Sequence, residues 1–172
     1  MKSISIFAAL IILILVALVF TTASSAAVVD QNGPSAFGAG LFHFRNSSGQ
    51  SELWSFSFDA RANKNGQARG RAQFENLTAQ TQIVVRINCL SVTSNLNSLY
   101  AVMVGRVLHS DNPNLPKMRD VLFAASDGPL PPVSGSDTIT PPFDFPFSDH
   151  DCHDTLPLTV LAVEDGDIEI QP

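Results

Sequence analysis

The sequence predicts an antiparallel all-β domain, either a β-barrel or a β-sandwich of about eight strands, with a long proline-rich loop region. Beyond residue 27, every recognisable hydrophobic repeat has a period of two residues, which is the repeat of a half-buried strand. No window of eleven or more residues in that part of the chain carries a helical apolar stripe. Clusters of turn-forming residues recur about every ten residues as far as residue 110, as expected for short antiparallel strands.

The first 27 residues have the pattern of a secretory signal peptide. Lys2 supplies a positive charge, and Ile6 to Phe20 is an unbroken apolar run of fifteen residues. Ser25 and Ala27 then fit the small-residue positions of a peptidase site. A membrane helix needs roughly 20 apolar residues, so the run is short for an anchor. We expect a secreted, extracellular protein, or one held in the cell envelope if the leader is retained.

The remaining chain divides into an arm and one domain. Residues 28–36 show no period and are interpreted as a flexible N-terminal arm, whereas residues 37–172 form a single all-β domain on length. Turn clusters rich in asparagine, serine and glycine separate the first strands. The expected strands lie at about residues 40–45, 53–61, 67–75, 81–92, 99–108, 121–125, 158–163 and 168–170.

Alternation along the strands predicts which side chains form the core. Trp54, Phe56 and Phe58 share one face of the second strand. The next strand faces them with small residues and one ring, so large and small side chains can interdigitate. These inward residues are Ala68, Gly70, Ala72 and Phe74, and on the fourth strand the expected shared face carries Ile83, Val85, Ile87 and Cys89.

Residues 113–157 differ from the rest, because they hold nine of the eleven prolines of the chain. Proline lacks the backbone donor of a central strand, so most of this segment is expected to be irregular. It also carries Leu130, Phe143, Phe145 and Phe147. These apolar side chains either fill the end of the barrel or form an exposed contact patch.

The two cysteines, Cys89 and Cys152, are expected to form a disulfide bond, because secreted proteins seldom keep free thiols. The bond would close a loop of 63 residues. In the chain-entropy model such a loop contributes about 4 kcal/mol to stability. The alternative is a pair of unbonded thiols, one of them buried in a strand.

Several segments, taken in order, resemble the post-COAP family of small secreted β domains. The resemblance covers about residues 37–171 and implies an extracytoplasmic β module with no assigned reaction. It also implies a cysteine at Cys89 and another near Cys152, whereas residues 141–147 depart from the family pattern. The segments that carry it are Leu53 to Arg61, Ile87 to Val92, Gly105 to Val107, Ser110 to Pro113 and Val163 to Ile170.

Charge and motifs exclude several classes of function. The net charge is −6, and loss of Lys2 with the leader makes it −7, which disfavours nucleic acid and anionic membrane surfaces as partners. No Gly-x-Ser-x-Gly nucleophile motif occurs, and His43-Phe44-Arg45 lacks the His-x-His pair of copper/zinc superoxide dismutase. Paired acids such as Glu164 and Asp165 are typical of a tight turn. We therefore expect no catalysis and no cofactor.

One cluster offers the alternative of a metal-binding protein or a hydrolase. Asp149-His150-Asp151-Cys152-His153-Asp154 combines three carboxylates, two imidazoles and a thiol, a set that suits zinc, copper or iron. The competing interpretation is a solvated acidic turn around half of the disulfide. Two sequons, at Asn46 and Asn76, are possible glycosylation sites near strand ends.

The sequence as a whole predicts a secreted, disulfide-stabilised β module that binds an extracellular ligand or protein without catalysis. The proline-rich loops are its expected contact region, because loops on a rigid scaffold commonly carry recognition.

Overall fold

The computed structural model describes residues 33–63, 67–95, 98–128, 136–144, 152–153 and 159–172. The leader, arm residues 28–32 and the side chains of Leu130, Phe145 and Phe147 lie outside the described residues. Within the described ranges, no helix of a length and hydrophobicity that would span a membrane occurs.

Ten antiparallel strands make up the described part of the chain, and they confirm the predicted all-β class. They form one curled, barrel-like sheet in the order β10-β1-β2-β3-β4-β5-β6-β7-β9, with β8 also paired to β6. The strands are β1 Ser35–Arg45, β2 Ser51–Ala62, β3 Ala68–Asn76, β4 Thr81–Asn95, β5 Ser98–Ser110, β6 Asp120–Asp127, β7 Thr138–Ile139, β8 Phe143–Asp144, β9 Leu161–Ala162 and β10 Asp165–Gln171.

The chain itself joins the two ends of the sheet, because β9 runs directly into β10. Val163 donates its backbone N–H to the carbonyl of Asp137, and Glu164 donates to the carbonyl of Leu41 in β1, both at 2.9 Å. The Asp137 carboxylate accepts one N–H from Gly128 at 2.9 Å and one from Ile168 at 2.8 Å. One side chain therefore ties the end of β6 to the last strand.

The interior is filled by aromatic rings, and the predicted face of β2 is confirmed. Trp54, Phe56 and Phe58 are all buried. In the β2–β3 register Phe58 lies opposite the small Ala72, whereas Phe56 lies opposite Phe74 and Trp54 opposite Asn76. Neighbouring rings lie 5.1–6.2 Å apart between centroids, within the range of favourable aromatic contacts. The contacting pairs are Phe42–Trp54, Phe42–Phe56, Phe56–Phe58, Phe58–Phe123 and Phe74–Phe123.

Two glycines allow the sheet ends to approach the rings. A Cβ added to Gly40 would lie 3.1 Å from Cε1 of Phe56 and 3.0 Å from Cγ1 of Val163, so only glycine fits without displacing them. Gly166 has a φ of +131°, which side chains rarely adopt, and it lies against the backbone of Ala39. Both positions lie where β10 crosses β1.

The expected orientation of Cys89 is wrong. The pairing register of β4 with β5 shifts between Ile87 and Cys89. This irregularity reverses the alternation of side chains along β4. Leu90, 3% exposed, takes the inner position instead. Cys89 points to the outer face, where it packs with Val104.

Three smaller expectations also differ from the structure. There are ten strands rather than about eight, because the two-residue strands β7 and β8 pair with β6 inside the proline-rich segment. Strand β1 begins at Ser35, inside the range assigned to the arm. The reason is that Ala36 is fully buried between Ala60 and Ile170. The last strand begins at Asp165, within the expected turn.

The core arrangement predicts opposite effects for two neighbours in β2. Phe56→Ala should lower the free energy of unfolding by about 3–5 kcal/mol, because it removes a buried ring that contacts two others. Ser55→Lys, on the outer face, should change it by only about 0.5 kcal/mol. Urea unfolding measures both variants. A mild Phe56→Ala beside a damaging Ser55→Lys would mean that the register of β2 is reversed.

Candidate functional site

The predicted disulfide between Cys89 and Cys152 is present. It lies on the outer face of the sheet, where Cys152, 2% exposed, packs with Val104 and Leu122. Phe143 of β8 covers the same cluster. The disulfide therefore holds Cys152 against the outer face of β5 and β6 around Val104 and Leu122, and β6 is buried on both faces.

A pocket opens at the end of the barrel where β1 ends and β2 begins. Its volume is about 540 Å³, within the range of small-molecule sites. Its walls are mainly apolar and come from both strands, from the loop after β5 and from the segment around β8. The lining residues are Phe44, Trp54, Asn112, Asn114, Leu115, Thr140, Pro141, Pro142, Phe143, Asp144 and Thr159.

Side-chain hydrogen bonds hold the segment around β8 against β6. The hydroxyl oxygen of Thr140 accepts the N–H of Ala124 at 2.8 Å, and the N–H of Thr140 donates to the carbonyl of Ala124 at 2.9 Å. The guanidinium of Arg119 donates two hydrogen bonds to Asp144, at 3.0 and 2.6 Å. These bonds and the nearby negative charge raise the pKa of Arg119. The charge of the Asp144 carboxylate is thus balanced by Arg119, and the bonds join this wall of the pocket to the chain at the start of β6.

The second wall depends on Glu52, whose carboxylate accepts three neutral N–H donors. One oxygen accepts the amide of Asn46 at 2.8 Å. The other accepts the indole N–H of Trp54 at 3.1 Å and the amide of Asn76 at 2.7 Å. This network orients the Trp54 ring that lines the pocket and links the turn after β1 to the end of β3.

The sequence-predicted metal cluster is described only in part. Asp149, His150, Asp151 and Asp154 lie outside the described residues. The Cys152 sulfur is used in the disulfide, and Nδ1 of His153 lies 3.2 Å from the hydroxyl of Ser91. Across the part of the chain that the structure describes, no three His, Cys, Asp or Glu side chains lie together as a metal site requires.

The two sequon asparagines are both held by Glu52. Asn76 is 4% exposed, and its side-chain oxygen also accepts the N–H groups of Thr78 and Ala79. Asn46 is half-buried and caps its own turn through Ser48 and Gln50. A glycan on either nitrogen would have to be accommodated beside Glu52, with one N–H left to donate to its carboxylate, and glycosylation at Asn46 and Asn76 stays a prediction.

Sequence reasoning named the proline-rich segment and Phe143, which line the pocket, but missed the charged residues that hold its walls. Glu52 follows a turn and precedes an apolar strand, where an acidic residue is unremarkable. Arg119 and Asp144 are 25 residues apart in the chain, and only the β6–β8 pairing brings them together. The one available signal was the pair Pro141 and Pro142, which marks a break between two short edge strands.

Comparison of the chain with protein-family models, with curated proteins and with solved structures gives no match.

The Glu52 network predicts that this carboxylate is needed for stability. Glu52→Gln should lower the free energy of unfolding by about 1–3 kcal/mol, because the amide nitrogen would face N–H donors that then lose their acceptor. Glu75→Gln, on the outer face of β3, is the matched control and should change stability by about 0.5 kcal/mol or less. Equal effects of the two variants in urea unfolding would contradict the role of Glu52.

Proposed function

We propose that this protein is a secreted, disulfide-stabilised β module that binds a small, mainly apolar ligand in the pocket at the barrel end, without catalysis. The observation that carries the proposal is the pocket itself. It is concave, about 540 Å³ in volume, and lined by rigid rings and prolines together with a few polar groups. Sites with this combination commonly bind small molecules.

The polar groups of the pocket favour a neutral ligand. Asp144, the one carboxylate in the lining, is neutralised by Arg119. Thr140 uses its hydroxyl on the backbone of β6. Within the described part of the chain, the amide of Asn114 and the hydroxyl of Thr159 have no hydrogen-bond partner. They can therefore orient a ligand that carries a carbonyl or hydroxyl group.

Rigidity supports binding rather than turnover. The walls are held by the Arg119–Asp144 pair and by the disulfide-pinned layer, so little conformational entropy is lost when a ligand docks. No motif for nucleophilic or metal-assisted chemistry was identified in the sequence, which supports a non-catalytic role.

Two further parts of the proposal rest on the sequence. Secretion is supported by the signal-peptide pattern of residues 1–27 and by compatibility of the disulfide with an oxidising compartment. Membership of the post-COAP family is supported by the ordered segments quoted above, and an all-β fold with a Cys89–Cys152 bond agrees with that proposal.

The single tryptophan of the chain provides a direct test. Trp54 lines the pocket, so a bound fluorophore will accept energy from it. The neutral probe N-phenyl-1-naphthylamine should bind saturably, with one site per molecule and with quenching of Trp54 emission. Thr159→Phe should weaken this binding about tenfold or more, because a ring would occupy the mouth of the pocket.

Thr159→Val is the matched control. It keeps the shape of threonine, and the probe lacks the carbonyl or hydroxyl group that the Thr159 hydroxyl is proposed to orient, so probe binding should stay within about threefold of that of the unchanged protein. Absence of saturable binding would contradict the proposal, as would a Thr159→Phe variant that binds the probe as tightly as Thr159→Val. Thermal melts of both variants establish that each is folded during the titration.

A further inference from the structure

The sheet concentrates half of the cationic residues of the chain on one outer face. Five of the ten lysines and arginines lie there on four neighbouring strands, β2 to β5, in a protein whose net charge is −6. We call this surface the arginine face. Its members are Arg61, Arg69, Arg71, Arg86 and Arg106.

The strand register places these arginines in two rows. Arg71 lies directly opposite Arg86, and Arg86 lies directly opposite Arg106. Arg61 and Arg69 form a second opposed pair, one step of two residues further along. Neighbouring strands are about 4.8 Å apart and one such step is about 7 Å, so the guanidinium groups form a dense array.

Internal carboxylates neutralise only the margins of this array. Arg106 makes a bidentate pair with Asp120 at 2.9 and 3.2 Å. Arg61 lies 3.4 Å from the exposed Asp59. Within the described residues, Arg69, Arg71 and Arg86 have no ion pair or side-chain hydrogen bond, and all three are exposed.

Opposed like charges do not stabilise the sheet. Like charges directly across a strand pair are destabilising, and three adjacent strands carry arginine in one row. An external anion would remove this repulsion. Guanidinium groups also bind sulfate and carboxylate bidentately, more strongly than a lysine array would.

The surroundings of the row distinguish among polyanions. Strands β3 and β4 lie inside the sheet with both neighbours paired, so an acidic peptide finds no backbone groups to extend. Between Asp59 and Arg106 the row holds arginine alone. The exposed Phe37, opposite Asp59, and the exposed Leu108, two residues from Arg106, lie at its margins, so the row itself offers no series of rings for stacking bases and no apolar patch for entering a membrane. Beside it, a shallow depression of about 260 Å³ is bordered by Ser57, Asp59, Arg71 and Gln73.

We propose that the arginine face binds a linear acidic polysaccharide, one that carries sulfate or uronate groups. Hydroxyl and amide side chains in the depression suit sugar hydroxyls, and the adjacent Arg71 and Arg86 bind the anionic substituents. The face is distinct from the pocket. Along β2, Asp59 lies five residues from Trp54, and the two side chains point to opposite sides of the sheet. Binding of the polysaccharide can therefore be tested independently of binding of the apolar ligand.

Calorimetric titration of the purified protein with heparin oligosaccharides and with oligogalacturonate tests this proposal and separates sulfate from uronate recognition. At least one of the two should bind, and neutral dextran should not. Binding should weaken about tenfold or more between 50 and 200 mM NaCl, because each contact releases counterions. Arg71→Ser and Arg86→Ser should each weaken binding about tenfold, the effect of losing one charge-assisted contact.

Two further variants make the result specific. Asp59→Asn should strengthen binding, since it removes a negative charge from the row. Arg45→Ser, an exposed arginine at the opposite end of the sheet, removes the same charge as Arg71→Ser and should change the affinity less than about twofold. If a variant fails to fold, NMR of the unchanged protein replaces it. The same oligosaccharide should then perturb the side-chain signals of Arg71 and Arg86.

Several results would overturn the proposal. The first is that neither acidic polysaccharide binds at 50 mM NaCl. The second is that Arg45→Ser and Arg71→Ser lower the affinity equally. The third is that the oligosaccharide perturbs the NMR signals of residues other than Arg71 and Arg86 alone. Tighter binding of phosphatidylserine vesicles, of single-stranded DNA or of polyglutamate than of either polysaccharide would equally exclude it, because the occupant would then be another kind of polyanion.

Discussion

The packing of large rings against very small residues sets the shape of this protein. Gly40 lies beside the Phe56 ring, where an added Cβ would be 3.1 Å from Cε1 of the ring and 2.4 Å from the carbonyl oxygen of Asp165, so a side chain at this position would force its surroundings to shift. The small Ala72 likewise lies opposite Phe58. Rings from β1, β2, β3 and β6 share the interior with small residues such as Ala36, Ala60 and Ala72, so the sheet can bend tightly and still fill its interior. The closure of the chain through Asp137, and the pocket at the barrel end, both depend on this curvature.

A second layer of packing builds the wall of the pocket. The register shift beside Cys89 turns this cysteine outward, so its bond to Cys152 covers β5 and β6 instead of lying in the core. Strand β6 is buried on both faces, which agrees with its nearly continuous apolar sequence, whereas β5 is buried on both faces only around Met103 and Val104. Phe143 packs on this layer and also lines the pocket. The disulfide is thus coupled to the geometry of the proposed ligand site.

The sequence predicted what alternation alone determines. The inward face of β2, the small residues of β3, the all-β class and the cysteine pair were all accessible, because each depends on local period or on composition. The orientation of Cys89 was not, since a single register shift leaves no mark in the pattern. The pocket also escaped prediction, because Glu52, Arg119 and Asp144 gain their roles only from partners distant in the chain. The arginine face could not be predicted either, because the strand register determines which arginines lie opposite each other.

Summed charge is a poor guide to this surface, because the charges are unevenly distributed over the sheet. Exposed acids gather on β10 and the turn before it, where Asp165, Asp167 and Glu169 occupy an edge of the sheet. Strand β3 is three strand spacings away, about 14 Å, which exceeds the screening length of about 8 Å at physiological salt. An anion in contact with Arg71 therefore experiences mainly the charges nearby, which are the neighbouring guanidinium groups and the carboxylate of Asp59 opposite Arg71. The net charge that argues against nucleic acid at long range does not prevent a polyanion from binding at this face.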